Sequence, residues 1–342
     1  MANRKRRRVW VLVLLLLLFL AGWLGVWSAW VLSGPYLNKP VYLRIKKGYS
    51  ASRVADLLYE THIIRSKPAF LAMVRLSGTA NRIKTGTFVM AGKVPLRVLI
   101  ATLQKTPPPL MIKVTIPEGY NLAEIGTAID KAGILSADVF VTYIQTTAKT
   151  ELDPEIGFLS KIPTHNLEGY LFPDTYIFAE GASAKEITHT MLATFAQKAL
   201  PVIASTNRSM SLHEVVTLAA IIEREARVPT EMPLISGVFH ARLKKKMALG
   251  ADPTVGYAIG SPRKTVITFE DIKVDSPYNT YRVLGLPPAP IASPGLSAII
   301  AAMNPDKTPY LYFVADHTGH HVFTRTLAAH LAAQARIQEQ SK

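Results

Sequence analysis

One stretch of this chain is so apolar that few environments suit it. Residues Val9 to Leu32 contain no charged side chain and include the leucine run Leu14 to Leu18. At about 1.5 Å per residue, a helix of this length crosses the ~30 Å hydrocarbon core of a bilayer. The sequence therefore predicts a single transmembrane helix at residues 9–32.

The two ends of this stretch predict its orientation. The basic cluster Arg4 to Arg8 precedes it, and Trp23, Trp27 and Trp30 crowd its far end. Basic residues favour the cytoplasmic side, and tryptophan favours the membrane interface. We therefore expect a cytoplasmic tail at residues 1–8 and the rest of the chain outside the cytoplasmic (inner) membrane. The alternative is a cleaved signal peptide, but the apolar core is long and no clear small-x-small cleavage site follows it.

Composition narrows the class of protein further. The formal charge of +15 is spread thinly beyond the N-terminal cluster and is not interleaved with aromatic residues. Single-stranded nucleic acid needs such interleaving, so we expect no nucleic-acid partner, and an anionic surface or polymer suits the charge better. The chain has no cysteine, which excludes disulfides, thiol nucleophiles and cysteine metal ligands.

After a linker at residues 33–40, the pattern predicts a small α+β module at residues 41–109. Apolar residues alternate as in a strand at Val41, Leu43 and Ile45. Further elements are expected in the order helix, helix, strand, helix, around Val54–Leu58, Ser66–Gly78, Thr87–Met90 and Pro95–Gln104. The proline run 107–109 interrupts both helix and sheet and closes the module.

The strand, turn and helix at the start of this module have a counterpart 71 positions later. Gly48-Tyr49 corresponds to Gly119-Tyr120, and Ile63-Ile64 corresponds to Ile134-Leu135. The pattern favours one structural unit used twice. The alternative is coincidence, because two copies alone are a weak signal.

The segment Leu212 to Ala226 is predicted to be a helix, since it has no internal glycine or proline. At about 100° per residue its apolar side chains form one stripe, and Glu223 falls inside that stripe. Glu214 and Glu225 are expected toward the edge, where solvent reaches them. A carboxylate aimed at the core is either a functional group or half of an ion pair, for which Arg227 is the candidate partner.

Several blocks together identify a family. They are Leu167–Tyr176, Ala220–Glu225, Val238-Phe239 with Arg242-Leu243, Asp252–Val255, Tyr278–Tyr281, Gly285–Pro288, Ala292–Gly295, Thr308–Val314, and the histidines at 321 and 330. From about Val41 to the C terminus, the chain resembles the YceG-like, or MltG, family of endolytic murein transglycosylases.

The resemblance implies an architecture and a reaction. It implies an α+β fold with one transmembrane helix, a LysM-like module at 41–109 and a mixed α+β catalytic domain at 110–342. It also implies cleavage of the MurNAc-GlcNAc bond within peptidoglycan glycan strands to give 1,6-anhydroMurNAc ends, without a metal or cofactor. Such an enzyme would end strand growth near the membrane, beside the peptidoglycan synthases that are its possible partners. The first glutamate of the helical block, Glu223, maps onto the catalytic residue.

Five residues of the later loops are candidates for holding the sugar. Their hydroxyl, amide, aromatic and carboxylate groups suit a polar polymer, and they are Asp252, Thr254, Tyr278, Asn279 and Thr280. Each is equally well explained as a turn-forming or capping residue.

Some positions depart from the family pattern. Gly250-Ala251 stands where Gln-Ser or Gln-Thr is usual, Ala241 replaces an asparagine, and Ala226 replaces a threonine. Each change loses a polar side chain, which puts substrate contacts and rate in question. The alternative function is therefore a non-catalytic, membrane-anchored glycan-binding scaffold of the cell-wall synthesis machinery.

Three histidines near the C terminus could suggest a metal site. His317, His320 and His321 surround Thr318-Gly319 between two short apolar strands, a pattern typical of a hairpin turn. Only Asp316 is near enough in sequence to complete a ligand set, so polar turn residues are the simpler account. The stretch 327–340 is predicted to be an amphipathic helix packed on the domain.

Overall fold

The computed structural model describes residues 2–205 and 210–340, without the side chains of residues 2–9, 11 and 12. The side chains of the basic cluster Arg4 to Arg8 thus lie outside the described part. The chain divides into two units, Met1–Leu110 and Met111–Lys342.

The first helix, α1 (Ala2–Leu32), is the predicted apolar helix. Its segment Val13–Leu32 has a mean hydropathy of 2.1, and all of its side chains except Val31 are exposed. Near its end, the Arg65 guanidinium lies 4.3 Å from the centre of the Trp30 ring and donates to Ser33 Oγ at 3.0 Å. The helix is long and apolar enough to cross a membrane, as a membrane anchor or a signal sequence would be.

The remainder of the first unit is a two-stranded sheet with three helices. Its elements are β1 (Tyr36–Ile45), α2 (Ala51–Glu60), α3 (Lys67–Leu76), β2 (Gly86–Lys93) and α4 (Leu96–Leu103). The strands are antiparallel, with Leu43 opposite Phe88 and Val41 opposite Met90. Ser66 caps α3 as expected, accepting from the Ala69 amide at 3.3 Å. The predicted elements are confirmed here, although a specifically LysM-like fold is not.

The second unit opens with the same arrangement. Strand β3 (Met111–Thr115) precedes α5 (Leu122–Lys131) and α6 (Ala137–Thr146), and β3 pairs antiparallel with a later strand, β4 (Thr175–Ala179). Both bounds of α5 lie 71 positions after those of α2. The turn glycines Gly48 and Gly119 have φ angles of +90° and +74°, a conformation that glycine adopts without steric cost. The structure therefore confirms the repeated unit.

Seven helices and a hairpin complete the described part of the second unit. They are α7 (Ala148–Ile156), α8 (Ala184–Ala204), α9 (Leu212–Glu225), α10 (Met232–Lys244), α11 (Asp252–Ala258), α12 (Leu296–Met303), β5 (Tyr312–Ala315), β6 (His321–Thr324) and α13 (Leu327–Gln340). Strands β5 and β6 pair antiparallel, which confirms the predicted hairpin, and α13 packs on it.

Helix α9 lies at the centre of this unit. It begins with a capping box between Ser211 and Glu214, and its bounds nearly match the predicted 212–226. The expectation of a single inward face was too narrow, because every residue from Val215 to Ile222 is buried. Helices α10, α11 and α12 all pack against it, and small residues such as Ala219 and Ala220 allow them to approach.

Candidate active site

Glu223 lies in the last turn of α9, where the buried helix reaches an open cleft of about 880 Å³. Its side chain is half-buried, and its Oε2 accepts a hydrogen bond from the Gly295 amide at 3.0 Å. The helix ends two residues later because Ala226 has extended dihedral angles. The structure thus puts the carboxylate at the end of a rigid, fully packed element, with one backbone donor aimed at it.

The surroundings of Glu223 favour its protonated form, chiefly because the side chain is half-buried. Burial raises the pKa of Glu223, the charge of Glu118 raises it further, and the Gly295 hydrogen bond and Arg224 oppose these effects. Arg224 does not form an ion pair with the acid, since its guanidinium donates to the carbonyl oxygens of Gly119, at 3.4 Å, and Pro262.

Pairing with Arg227, the structural alternative for Glu223, is not observed. Arg227 is exposed and forms no ion pair with any side chain in the described ranges. Glu223 is therefore a half-buried acid in a cleft, with no neutralising partner among the described residues, an arrangement typical of a general acid.

Besides Glu118 and Glu223, the acids Glu225 and Asp252 line the same cleft. Burial raises the pKa of Glu225 to about 8, the charge of Asp252 adds to this, and Arg242 opposes it. Glu225 is half-buried where it lines the cleft, so solvent can reach it as expected, while α11 and α10 bring Asp252 and Arg242 against it. Burial also raises the pKa of Asp252, whose Oδ1 accepts from the Tyr281 hydroxyl at 2.6 Å.

The other predicted sugar-binding residues hold the protein's own loops. Thr254 and Thr280 are fully buried, their hydroxyl oxygens lie 2.8 Å apart, and Thr280 Oγ1 accepts from the Ala251 amide at 2.9 Å. Asn279 is also fully buried, and its amide nitrogen donates to two backbone carbonyl oxygens at 2.8 Å each. These three residues are not among the described residues that line the cleft.

Tyr278 and the departures from the family pattern can be placed in the same region. The Tyr278 ring packs 5.0 Å from the Tyr257 ring, away from the lining of the cleft. Gly250 lines the cleft with φ +54°, and a Cβ there would lie 3.4 Å from the Arg242 guanidinium. Ala251 is buried. Of the five predicted contacts, Asp252 alone therefore reaches the cleft in the described structure.

Two of the C-terminal histidines, His320 and His321, contact Glu231, which lies just before α10. His321 Nδ1 lies 2.6 Å from Glu231 Oε2, and His320 Nδ1 lies 3.1 Å from Glu231 Oε1. These contacts lower the pKa of Glu231 although burial opposes them. Within residues 2–205 and 210–340, no group of three or more His, Asp or Glu side chains is arranged to hold a metal ion.

Sequence reasoning missed two residues of the cleft, Glu118 and Tyr281. Glu118 precedes the turn glycine Gly119 of the repeated unit, and the corresponding residue of the first copy is Lys47. The sequence did contain a signal for Glu118, because the charge at this turn position is positive in the first copy of the repeat and negative in the second. Tyr281 lay within a family block, next to predicted contacts.

Comparisons with known proteins show which family this chain resembles. The YceG-like family matches residues 43–336. An endolytic murein transglycosylase of Bacillus subtilis (strain 168) is 35% identical over 305 residues, covering 86% of this chain and 84% of that protein. Another, from Streptococcus pneumoniae serotype 2, is 28% identical, and this chain covers 55% of its length. The crystal structure of a yceG-like protein of Listeria monocytogenes matches 86% of this chain and 98% of its own, with 34% identity and a TM-score of 0.59.

Proposed function

The chain belongs to the YceG-like family, and we propose that it is an endolytic lytic transglycosylase of peptidoglycan with Glu223 as its catalytic acid and base. The relatives named endolytic murein transglycosylases support the reaction class. The observation that carries the role of Glu223 is its geometry: a half-buried carboxyl that forms no ion pair within the described ranges and is held by the Gly295 amide in a cleft of about 880 Å³.

The proposed reaction needs one group that gives and then takes a proton. Protonated Glu223 donates to the oxygen between MurNAc and GlcNAc, and the bond from that oxygen to MurNAc C1 breaks. An oxocarbenium-like centre develops at C1. The MurNAc 6-hydroxyl oxygen then bonds to C1 and passes its proton to the Glu223 carboxylate. The products are a 1,6-anhydroMurNAc end and a GlcNAc end, no water is consumed, and the acid is restored.

The surroundings of Glu223 suit both halves of this cycle. Burial raises the pKa of Glu223, so the acid keeps its proton at higher pH than an exposed glutamate. The Gly295 amide, 3.0 Å from Oε2, stabilises the carboxylate that forms once the proton has left. The cleavage rate should therefore fall as pH rises through the pKa of Glu223.

Sugar contacts are assigned in two groups. We propose that Asp252 contacts the sugar directly, because its carboxylate lines the cleft and the Tyr281 hydroxyl orients it at 2.6 Å. Thr254, Asn279 and Thr280 support binding by holding the loops that carry these residues. Tyr278 supports the same loops by packing on Tyr257.

The apolar helix α1 suggests where in the cell the enzyme acts. We propose that α1 is an uncleaved anchor, with Arg4 to Arg8 in the cytoplasm and everything beyond the helix outside the inner membrane. Cleavage close to the membrane would act on nascent strands, set their length and bring the enzyme near peptidoglycan synthases. The α+β module of the first unit would serve as a LysM-like glycan-binding scaffold.

Product analysis tests the proposal. The full chain in detergent micelles is incubated with uncrosslinked glycan strands, and the products are identified by mass spectrometry. We expect 1,6-anhydroMurNAc ends from the wild type and none from Glu223→Gln. The control Glu270→Gln removes an exposed acid outside the cleft and should retain activity. Reducing MurNAc ends would refute the lytic mechanism, and a folded wild type without products would favour the scaffold alternative.

A further inference from the structure

A second carboxylate, Glu118, lies beside Glu223 without a part in the mechanism above. Glu118 follows β3, and its side chain is exposed at the lining of the cleft. Two backbone hydrogen bonds join its loop to the loop before α12. The Gly119 amide donates to the Ser293 carbonyl at 2.9 Å, and the Ser293 amide donates to the Tyr120 carbonyl at 2.8 Å. The position of Glu118 therefore follows from the same loop contacts that position Gly295.

The carboxylates of Glu118 and Glu223 meet at Gly295. A Cβ atom at Gly295 would lie 1.9 Å from Glu118 Oε1, so the Glu118 carboxylate occupies the space that any side chain there would need. Gly295 has φ −74° and ψ 170°, angles open to every residue, so a side chain at this position is opposed by the Glu118 carboxylate and not by the backbone. Its amide donates to Glu223 Oε2 at 3.0 Å.

Among the described residues, no cation lies between the two acids. Within the described part of the chain, Glu118 forms no ion pair, and Arg224 donates to backbone carbonyls rather than to either carboxylate. Arg263 lies nearby but pairs with Glu124. The charged groups that act on Glu223 are thus Glu118 and Arg224, while Arg263 and Glu124 act on Arg224.

We propose that Glu118 is a positioning residue that acts through Glu223, its negative charge holding the proton there until the glycosidic oxygen takes it. A like charge disfavours the ionised form of a neighbouring acid. The inference rests on the proposed role of Glu223 as the acid. The first copy of the repeat carries Lys47 at the corresponding position, so its turn provides no such charge.

Glu118→Gln tests the effect of the charge at position 118 separately from the effect of the side chain's shape. Glu118→Gln keeps the size of the side chain but leaves Arg224 unopposed, so Glu223 should ionise at lower pH. An exposed charge pair is worth roughly 0.2–1 kcal/mol, which corresponds to about 0.15 to 0.7 of a pKa unit. The alkaline limb of the pH profile should move to lower pH by that amount. The rate at pH values above the limb should fall roughly 1.4- to fivefold, and the rate on its acid side should not change.

Gly295→Ala provides an independent second variant. Its Cβ would displace the flexible Glu118 carboxylate without straining the backbone, and the amide that serves Glu223 remains. We expect the limb to move in the same direction as for Glu118→Gln. The double variant should show no further movement, because both changes remove the same charge from the same place.

The measurement is kcat/KM for anhydroMurNAc ends from uncrosslinked strands, across pH, with the full chain in detergent. Glu270→Gln, which loses the same charge away from the cleft, should keep the wild-type limb. An unmoved limb in Glu118→Gln overturns the inference, as does an equal loss of rate at every pH. A wild type that makes no anhydro ends would instead refute the proposed function, so the two failures are distinguishable.

Discussion

Replacing Glu168 with glutamine should remove a pH dependence from the stability of the second unit. Glu168 is only 3% exposed. Its carboxylate accepts from the Leu122 amide, the first residue of α5, at 3.0 and 3.1 Å, and from the Tyr257 hydroxyl at 3.4 Å. Burial raises the pKa of Glu168 to about 7 despite these hydrogen bonds.

The size and sign of this pH dependence follow from the linkage between proton binding at Glu168 and folding. The ordinary pKa of a glutamate in an unfolded chain is 4.5. Between pH 4.5 and about pH 7, the folded chain binds more protons at Glu168 than the unfolded chain does. The free energy of unfolding therefore falls as pH rises through this interval. One pKa unit is worth about 1.4 kcal/mol, and most of the difference develops between about pH 5 and pH 8. Ionisation of Glu168 should therefore cost roughly 2–3 kcal/mol over that interval.

Glutamine is neutral at every pH and keeps an amide oxygen that can accept from the Leu122 amide. The free energy of unfolding would be measured by urea titration at about pH 5 and pH 8 for both proteins. Near-UV circular dichroism suits this chain, because its four tryptophans all precede Leu32 and its tyrosines report on the remainder. We expect the wild type to lose roughly 2–3 kcal/mol more than Glu168→Gln between the two conditions.

Parallel pH dependence of the two proteins would refute the reasoning, since it would mean that Glu168 ionises in the folded state as it does in the unfolded chain. Lower stability of the variant at both pH values would show instead that the carboxylate is needed as a charged acceptor. Glu270→Gln, an exposed acid, should keep the wild-type dependence.

Three further substitutions test the structure around the cleft. Gly169→Ala should lower stability by roughly 2–4 kcal/mol in urea unfolding, since φ is +86° and the new Cβ would lie 2.4 Å from Pro290. Asn279→Ala should cost roughly 2–4 kcal/mol, because buried backbone groups lose their partner; unchanged stability with lost activity would indicate a direct sugar contact instead. Tyr281→Phe should lower kcat/KM about tenfold by releasing Asp252, without a comparable change in stability; unaltered kinetics would exclude Asp252 from binding.

Local patterns in the sequence were enough to predict most elements. The capping residue Ser66, the uninterrupted helix 212–226, the hairpin near residue 318 and the apolar N-terminal helix all depend on neighbouring residues. Hydrophobic period and capping chemistry act over a few residues, so a single chain reveals them. The same holds for the repeated unit, whose turn glycine and helix spacing recur. The inward aim of Glu223 also followed from helical period alone.

Only the tertiary structure decided what surrounds that acid. Gly295 reaches Glu223 from a loop 72 residues away, and Glu118 reaches Gly295 through backbone hydrogen bonds between distant loops. The same long-range packing brings Asp252 and Arg242 against Glu225, and it turns Asn279 into the protein interior, against the expectation that Asn279 contacts the sugar. The periodicity of apolar residues indicates which face of a helix or strand points inward. The residues that this face contacts belong to elements distant in sequence, and no local pattern determines how those elements pack.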